Sequence, residues 1–204
     1  MDIRKYDSDL LSSNMYVIEQ DGHAVVIDPS RDTSPGEGLK IDLLIVTHEH
    51  YDHISGVNQW KDRYGAPLLC SQPCAERIID PKINQARYFS ALYELQSRHT
   101  ERPEVDNRYS CRADFTFREK LVFFWHGNRF VLSELPGHSP GSIGIYLNET
   151  NFFSGDSLLR DTEVELRFPG GNAEQWRKYG EPQIKAIPSG TTVWPGHFES
   201  FIQR

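Results

Sequence analysis

Cysteine is scarce in this sequence, and long apolar runs are missing from it. The three cysteines among 204 residues cannot all pair, so no disulfide framework is predicted and we expect buried free thiols at Cys70, Cys74 and Cys111. No apolar segment approaches the roughly 20 residues that span a bilayer, and the amino-terminal residues lack the apolar core of a secretory signal. We therefore expect a cytoplasmic protein that does not associate with membranes.

Positive charge is also in short supply, since 22 Lys and Arg residues stand against 29 Asp and Glu, for a net charge of −7. A chain of this charge without a basic cluster has no general attraction for a polyanion, so we expect no nucleic-acid partner. The hydrophobic content of 38% is adequate for a folded core. The length fits one large domain or two very small ones, and we predict a single domain over residues 1–204. Nothing in the sequence indicates an oligomeric state.

The first half of the chain alternates predicted strands with turns and one helix. Residues 15–28 have the composition of two short strands joined by an Asp-Gly turn. Residues 41–47 are almost continuously apolar, which is typical of a strand covered on both faces. A helix over 55–64 and a strand over 66–71 follow, which completes a strand, loop, helix, strand unit.

The second half is richer in strands. A segment around 73–112 with many aromatic and charged residues is predicted to be partly helical, and it is either a packed insertion or a lid. A later helix is expected to break in two at Gly180 and Pro182. Strand-rich halves, each closed by helix, favour two packed sheets with helices outside over a single parallel sheet. The predicted helices lie at 74–80, 85–98 and 172–187, and the predicted strands lie within 115–132, at 143–147, at 151–154 and, as the last one, at 191–194.

Candidate metal ligands concentrate in segment 48–53, His-Glu-His-Tyr-Asp-His, directly after the continuously apolar strand. A metal site needs neutral imidazoles and ionised carboxylates within about 2 Å of an ion, and loops at strand ends hold such groups rigidly. His48 and His50 stand two apart and point to the same side, so both can bind one ion. Asp52 and His53 follow a turn of the backbone and can face a second ion about 3.5–4 Å away. A zinc-protease helix is excluded because it needs a histidine four residues after His48.

Three further candidate ligands stand alone later in the chain, and they also fall at predicted strand ends. His138 lies within Pro-Gly-His-Ser-Pro-Gly, Asp156 within Phe-Ser-Gly-Asp-Ser, and His197 within Pro-Gly-His. Histidines without a partner in this pattern are expected to be surface or packed residues. They are His23, His99 and His126.

The order H-x-H-x-D-H followed by His, Asp and His resembles the metallo-β-lactamase superfamily, and specifically its glyoxalase II-like hydrolases. The surrounding sequence is similar as well, with Val-Ile-Asp-Pro at 26–29, Ser-Gly-Asp-Ser-Leu-Leu at 154–159 and Pro-Gly-His at 195–197. The similarity spans about residues 14–197, with 73–112 the least covered. It implies an α/β fold of the αββα metallo-β-lactamase sandwich type with a helical insertion around 73–112.

The resemblance also implies a site for two divalent metal ions, with zinc favoured and iron or manganese as alternatives. A hydroxide between the ions would be the nucleophile, and Asp52 would be the catalytic residue that orients it. Two ions, two carboxylates and one hydroxide leave a residual charge of about +1, which can stabilise an oxyanion. The implied ligands are His48, His50 and His138 for the first ion, Asp52, His53 and His197 for the second, and Asp156 as the bridge.

The implied activity is that of a dinuclear metal-dependent hydrolase, which uses a metal-bound hydroxide to cleave a thioester, ester or lactone. The substrate would be a small-molecule or carrier-bound acyl compound. Full-length glyoxalase II-like enzymes carry a further helical domain after the last histidine, whereas this chain stops at Arg204, so glutathione thioesters are not the expected substrate. Arg167, just before a Pro-Gly-Gly at 169–171, is a candidate substrate-binding residue that would hold an anionic group.

The residues leave two other functions open. A mononuclear iron oxidoreductase of the persulfide dioxygenase type keeps ligands of the His48, His138 and Asp156 type on one iron. That function leaves His53 and His197 without a role. A non-catalytic binding module would need the metal for stability alone. A nuclease is disfavoured because the sequence lacks a basic surface.

Overall fold

The computed structural model describes residues 1–96 and 104–204, and it contains two β-sheets packed face to face with helices outside them. The predicted α/β fold class, an αββα sandwich, is therefore confirmed. The end of the helix predicted at 85–98 and the predicted surface residue His99 lie outside the described residues.

The first sheet has six strands in the described part of the chain, and they follow sequence order. Strands β1 to β3 pair antiparallel, and β3 to β6 pair parallel. The hairpin predicted at 15–28 is β2 and β3, and its turn residues Asp21 and Gly22 have the positive φ values of 55° and 79° that tight hairpins require. The strands are β1 (Asp2–Asp7), β2 (Asn14–Gln20), β3 (His23–Ile27), β4 (Lys40–Ile45), β5 (Leu68–Ser71) and β6 (Phe115–Phe117).

The second sheet also has six strands among the described residues, in the order β12-β11-β10-β9-β8-β7. Neighbouring strands pair antiparallel except β10 and β11, which are parallel because a helical segment connects them. The strands are β7 (Lys120–Trp125), β8 (Asn128–Glu134), β9 (Ile143–Leu147), β10 (Asn151–Gly155), β11 (Thr192–Pro195) and β12 (Phe201–Ile202).

Helical segments cover the outer faces of both sheets. The α-helices are α1 (Tyr51–Ile54), α2 (Val57–Tyr64), α3 (Gln72–Ala75), α4 (Phe89–Gln96), α5 (Ala173–Gln175) and α6 (Glu181–Lys185), and 3-10 turns lie at Ser34–Gly36 and Ala86–Tyr88. In the predicted insertion around 73–112, the described residues form short helices and turns. The helix predicted at 74–80 is shorter than expected: α3 begins earlier, where Ser71 caps it, and turns follow it.

The described residues form three apolar layers: one between the sheets, one beneath the helices of the first sheet, and a smaller one between the second sheet and α6. On β2, Tyr16 and Ile18 point between the sheets and pack with residues such as Phe130 and Phe153 of the second sheet. Met15 and Val17 point the other way, into an apolar layer beneath α2. This alternation with a period of two places one apolar face in the sandwich and the other under the helices.

Two predictions about the second half of the chain were wrong. The helix predicted to break at Gly180 and Pro182 continues instead through a π-helical turn, Trp176–Gly180, which joins α5 to α6. This wider turn precedes Pro182, which has no N–H for the regular α-helical bond. The strand predicted as the last one is followed by β12, whose two residues carry no readable pattern.

Other features agree with the composition. The thiols of Cys70, Cys74 and Cys111 are free and buried, as predicted. None of the helices among the described residues combines the length and apolarity that crossing a bilayer requires.

The start of α2 gives a prediction about stability. A Cβ added at Gly56 would lie 1.9 Å from the backbone oxygen of Ser30, a contact that no side-chain rotation relieves. We expect Gly56→Ala to lower the free energy of unfolding by about 3 kcal/mol, measured by urea denaturation. Asp62→Ala, at an exposed position of the same helix, is the control and should stay within about 0.5 kcal/mol of the parent. Equal stability of the two variants would contradict the close contact.

Candidate metal centre

Loops from both sheets meet at one end of the sandwich. Backbone hydrogen bonds join them there: Ile143 N donates to Thr47 O at 2.9 Å, Asn14 N donates to Gly196 O at 2.7 Å, and Gly196 N donates to Gly155 O at 2.8 Å. The segments after β4, β8, β10 and β11 are therefore fixed relative to one another. Each of them carries one or more of the predicted ligands.

His48, His50 and His138 form a buried group of three imidazoles. One ring nitrogen from each lies within 4.8 Å of the others, and His50 Nδ1 is 3.1 Å from His138 Nε2. The three residues are at most 4% exposed. Their convergence agrees with the set predicted for one ion.

A second group contains Asp52, His53 and His197. Asp52 Oδ2 lies 3.5 Å from His53 Nε2 and 3.4 Å from His197 Nε2. Asp156 lies between the two groups, because its Oδ2 is 3.6 Å from His138 Nε2 and 3.5 Å from His197 Nε2. The structure thus brings together all seven residues that the sequence selected.

Several atoms of this centre have no hydrogen-bond partner within the described part of the chain. They are Nε2 of His48, Nε2 of His50, Nε2 of His53 and Oδ1 of Asp156. Buried polar atoms are almost always satisfied, so these atoms need an explanation, above all His53 Nε2 and Asp156 Oδ1, which lie 3.5 Å apart. On His50, the nitrogen that faces His138 is Nδ1. Cations with nitrogen and oxygen ligands fit this donor set.

Asp28 orients the imidazole of His53. Its carboxylate accepts hydrogen bonds from Thr47 N at 2.6 Å and Thr47 Oγ1 at 2.7 Å, and its Oδ2 is 3.0 Å from His53 Nδ1. Holding the proton on Nδ1 leaves Nε2 as the lone-pair nitrogen. His138 is oriented in the same way, since its Nδ1 lies 2.8 Å from the backbone oxygen of Glu165. The sequence analysis assigned no role to Asp28, although Val-Ile-Asp-Pro was part of the resemblance.

Glu49 joins the segment at 48–53 to the loop around His138. Its buried carboxylate accepts hydrogen bonds from Ser139 Oγ at 2.8 Å and Gly141 N at 3.2 Å, and it lies 3.4 Å from Arg77 Nε. Burial raises the pKa of Glu49. In the His-Glu-His sequence, the imidazoles of His48 and His50 therefore point to the centre, and the carboxylate of Glu49 points to the loop around His138.

Electrostatics separate the imidazoles into two kinds. Burial lowers the pKa of His50 to about 3, and burial with neighbouring imidazoles places the pKa of His48 well below its usual range, so both rings are neutral. Burial also opposes charge on His53, but Asp52 and Asp156 outweigh it and raise its pKa to about 9. The same carboxylates raise the pKa of His197. The two acids therefore require compensating positive charge, which cations would supply.

A cavity of about 540 Å³ opens above the centre. Apolar side chains such as Phe89, Phe168 and Phe198 form part of its wall. Five of the predicted ligands line its floor: His50, Asp52, His138, Asp156 and His197. A ligand of small-molecule size can thus reach these side chains.

Arg167, the candidate substrate-binding residue, is not among the residues that line this cavity. Its side chain is 89% exposed and forms two hydrogen bonds with the carboxylate of Glu165, at 2.9 and 2.6 Å. A substrate-binding role of Arg167 therefore stays a prediction. His23 and His126 also lie away from the centre, next to Asp42.

The comparisons with known proteins agree with this geometry. A family model described as the metallo-beta-lactamase superfamily matches residues 8–188. A probable metallo-hydrolase of Streptococcus pyogenes is 25% identical over 97% of this chain and 84% of its own length. A hydroxyacylglutathione hydrolase of Pelagibacter ubique is 26% identical over 85% of this chain, which spans only 61% of that relative.

Among solved structures, the BLEG-1 B3 metallo-beta-lactamase matches with a TM-score of 0.80 and 25% identity, over 98% of this chain and 94% of that one. His197 lies beyond the residues that the family model matches, but the structure brings its Nε2 to 3.4 Å from Asp52 Oδ2. The match over most of the chain, together with the αββα sandwich, shows that the protein belongs to the metallo-beta-lactamase superfamily.

Proposed function

We propose that this protein is a two-metal hydrolase that cleaves the acyl bond of a thioester, ester or lactone. The observation that supports it is the convergence of five imidazoles and two carboxylates beneath an open cavity, which five of these seven residues line. We assign His48, His50 and His138 to the first ion, Asp52, His53 and His197 to the second, and Asp156 to both. Zinc suits this imidazole-rich set.

Bound divalent cations would polarise the acyl carbonyl and lower the pKa of water, which removes the need for a Ser or Cys nucleophile. The chain's own residues position the reactants. Asp52 lines the cavity, and its Oδ2 faces His53 and His197, so it can accept a proton from the attacking water and orient it. Phe89 and Phe168 exclude water from the apolar side of the acyl group.

The cavity wall favours substrates without negative charge. Four acidic residues line it: Asp7, Glu163, Glu165 and Glu199. Among residues 1–96 and 104–204, Lys5 is the one Lys or Arg residue that lines it. Lys5 is itself paired with Asp7 and Glu199. Arg167 is paired with Glu165 but does not line the cavity. Even if its charge is included, four acidic side chains outnumber two basic ones, so the wall keeps a net negative charge. The similarity to a hydroxyacylglutathione hydrolase supports thioester hydrolysis. The acidic wall supports a thioester whose leaving thiol is neutral rather than anionic.

Metal removal tests the activity itself. We expect chelation to abolish hydrolysis of a panel of acyl thioesters, esters and lactones, and zinc to restore it, because the attacking water depends on the ions. Metal analysis of protein purified without added metal should give about two zinc ions per chain. One iron per chain together with oxygen uptake would contradict the proposal and favour the iron oxidoreductase.

Asp28→Asn tests the orientation of His53. An amide can donate a hydrogen bond to His53 Nδ1, which moves the ring proton to the nitrogen that faces the ion. We expect a loss of about 10–100-fold in affinity for one of the two zinc ions, measured by competition with a chromophoric chelator. Asp32→Asn, at an exposed position of the following loop, should leave both affinities unchanged. Unchanged affinity in Asp28→Asn would contradict this role.

The acidic wall predicts charge selection. For one acyl group, we expect a higher kcat/KM with the neutral N-acetylcysteamine thioester than with the anionic 3-mercaptopropionate thioester, and a smaller difference at high salt. Glu163→Gln should narrow the difference by about threefold, because one charge near the thiol group is removed. Glu174→Gln, exposed on α5 and outside the wall, is the matched control. If both thioesters are cleaved but the anionic one is preferred, charge selection fails while hydrolysis stands.

A further inference from the structure

A second cluster of histidine and aspartate lies at the other end of the sandwich. His23 is the first residue of β3, and Asp42 lies near the start of β4. The opposite ends of these two strands lead to the metal centre. His126 lies in the turn between β7 and β8, which belongs to the second sheet. The three residues share no member with the centre described above, and the sequence pattern assigned no role to either histidine.

The geometry of this cluster is that of a ligand set. Asp42 Oδ2 lies 2.7 Å from His23 Nδ1 and 3.7 Å from His126 Nε2, and the two imidazole rings have centroids 4.5 Å apart. One potential ligand atom from each residue lies within 4.8 Å of the others. Trp125 Nε1 donates to Asp42 Oδ2 at 2.9 Å and holds the carboxylate in place. Side-chain exposures of 21–31% leave a path for an ion and a water ligand.

The backbone departs from regular structure at two of the three residues. The register of β3 against β4 shifts so that Ala24 faces Ile41 and Val25 faces Leu43, which leaves Asp42 as the extra residue of a bulge. Bulges re-aim side chains and are frequent beside functional sites.

His126 has a φ of 46° in the β7–β8 turn, ahead of Gly127 at 78°. Such a turn favours Asn or Gly, and another residue there costs about 1 kcal/mol. Asn128 donates to Gln20 Oε1 at 2.7 Å, which ties this turn to β2. The imidazole of His126 is therefore held near Asp42 although the turn itself does not favour histidine.

We infer that His23, Asp42 and His126 bind a zinc ion that links the two sheets at the end opposite the metal centre. Two imidazoles and one carboxylate suit zinc, with water in the fourth position. On binding, the ion replaces the proton shared by His23 and Asp42. Lys40 Nζ lies 3.6 Å from Asp42 Oδ1 and weakens the attraction for a cation, so this site is weaker than the buried centre.

Counting zinc tests this site in the full chain. We expect His126→Asn to bind about one zinc ion fewer per chain than the parent at saturating zinc, measured by equilibrium dialysis and elemental analysis. Asn suits the left-handed turn, so this variant removes a ligand without disturbing the fold. His23→Gln should show the same loss. The measured quantity is the difference in zinc content between the parent and the variant. This difference does not depend on whether the buried centre contains two ions, one ion or none.

Thermal unfolding gives a second readout. At zinc about 100-fold above the dissociation constant of this site, the zinc-dependent rise of Tm should be larger in the parent than in His126→Asn by on the order of 5 °C. Lys40→Gln is the matched control, since it removes a neighbouring charge but no ligand, and it should bind zinc more tightly than the parent. Equal zinc content in the parent and His126→Asn would overturn the proposal and leave the cluster as a hydrogen-bonded contact between the sheets.

Discussion

The mutual compensation of buried charge at one end of the sandwich is the constraint on which the rest of this structure depends. Asp52 is buried and Asp156 is 13% exposed among five imidazoles, and a largely buried carboxylate without a positive partner is strongly unfavourable. Without an ion, His53 and His197 carry that positive charge, as their raised pKa values indicate. A cation could replace these protons, because His48 Nε2 and Asp156 Oδ1 have no hydrogen-bond partner among the described residues. The site is therefore organised for metal before any metal binds.

Close approach of the loops explains why glycine accompanies the ligands. A Cβ at Gly196 would lie 2.1 Å from Asp156 Oδ1, and one at Gly141 would lie 2.3 Å from Glu49 Oε2. Each position needs the space that only glycine leaves, because backbone atoms are close as well: Gly155 C at 2.9 Å in the first case and Cys74 Cα at 2.7 Å in the second. Gly196 before His197 and Gly141 after His138 are thus packing requirements of the centre.

The ligands could be predicted from the sequence because their signals are local. The segment at 48–53 follows an apolar strand, and the later ligands carry recognisable neighbours. The role of Asp28 could not be predicted in this way, because it depends on the parallel pairing of β3 with β4, which places Thr47 beside it. Likewise β1 is an edge strand of mostly charged residues, whose two apolar side chains, Ile3 and Tyr6, are too few to mark a strand periodicity. The outward orientation of Arg167 depends on its pairing with Glu165, which composition does not reveal.

The two ends of the sandwich are connected by the same pair of strands. β3 runs from His23 to the residue before Asp28, and β4 runs from the residues around Asp42 toward the segment at 48–53. Their ladder is regular from Val25 onward and shifts register only next to His23 and Asp42, within the described chain. The half of the β3–β4 ladder that leads to the metal centre therefore pairs without interruption, while the irregularity is confined to the far end. His23 and Asp42 lie where this strand pair reaches solvent, with side chains 30% and 21% exposed, so the extra residue of the bulge does not disturb the buried part of the ladder.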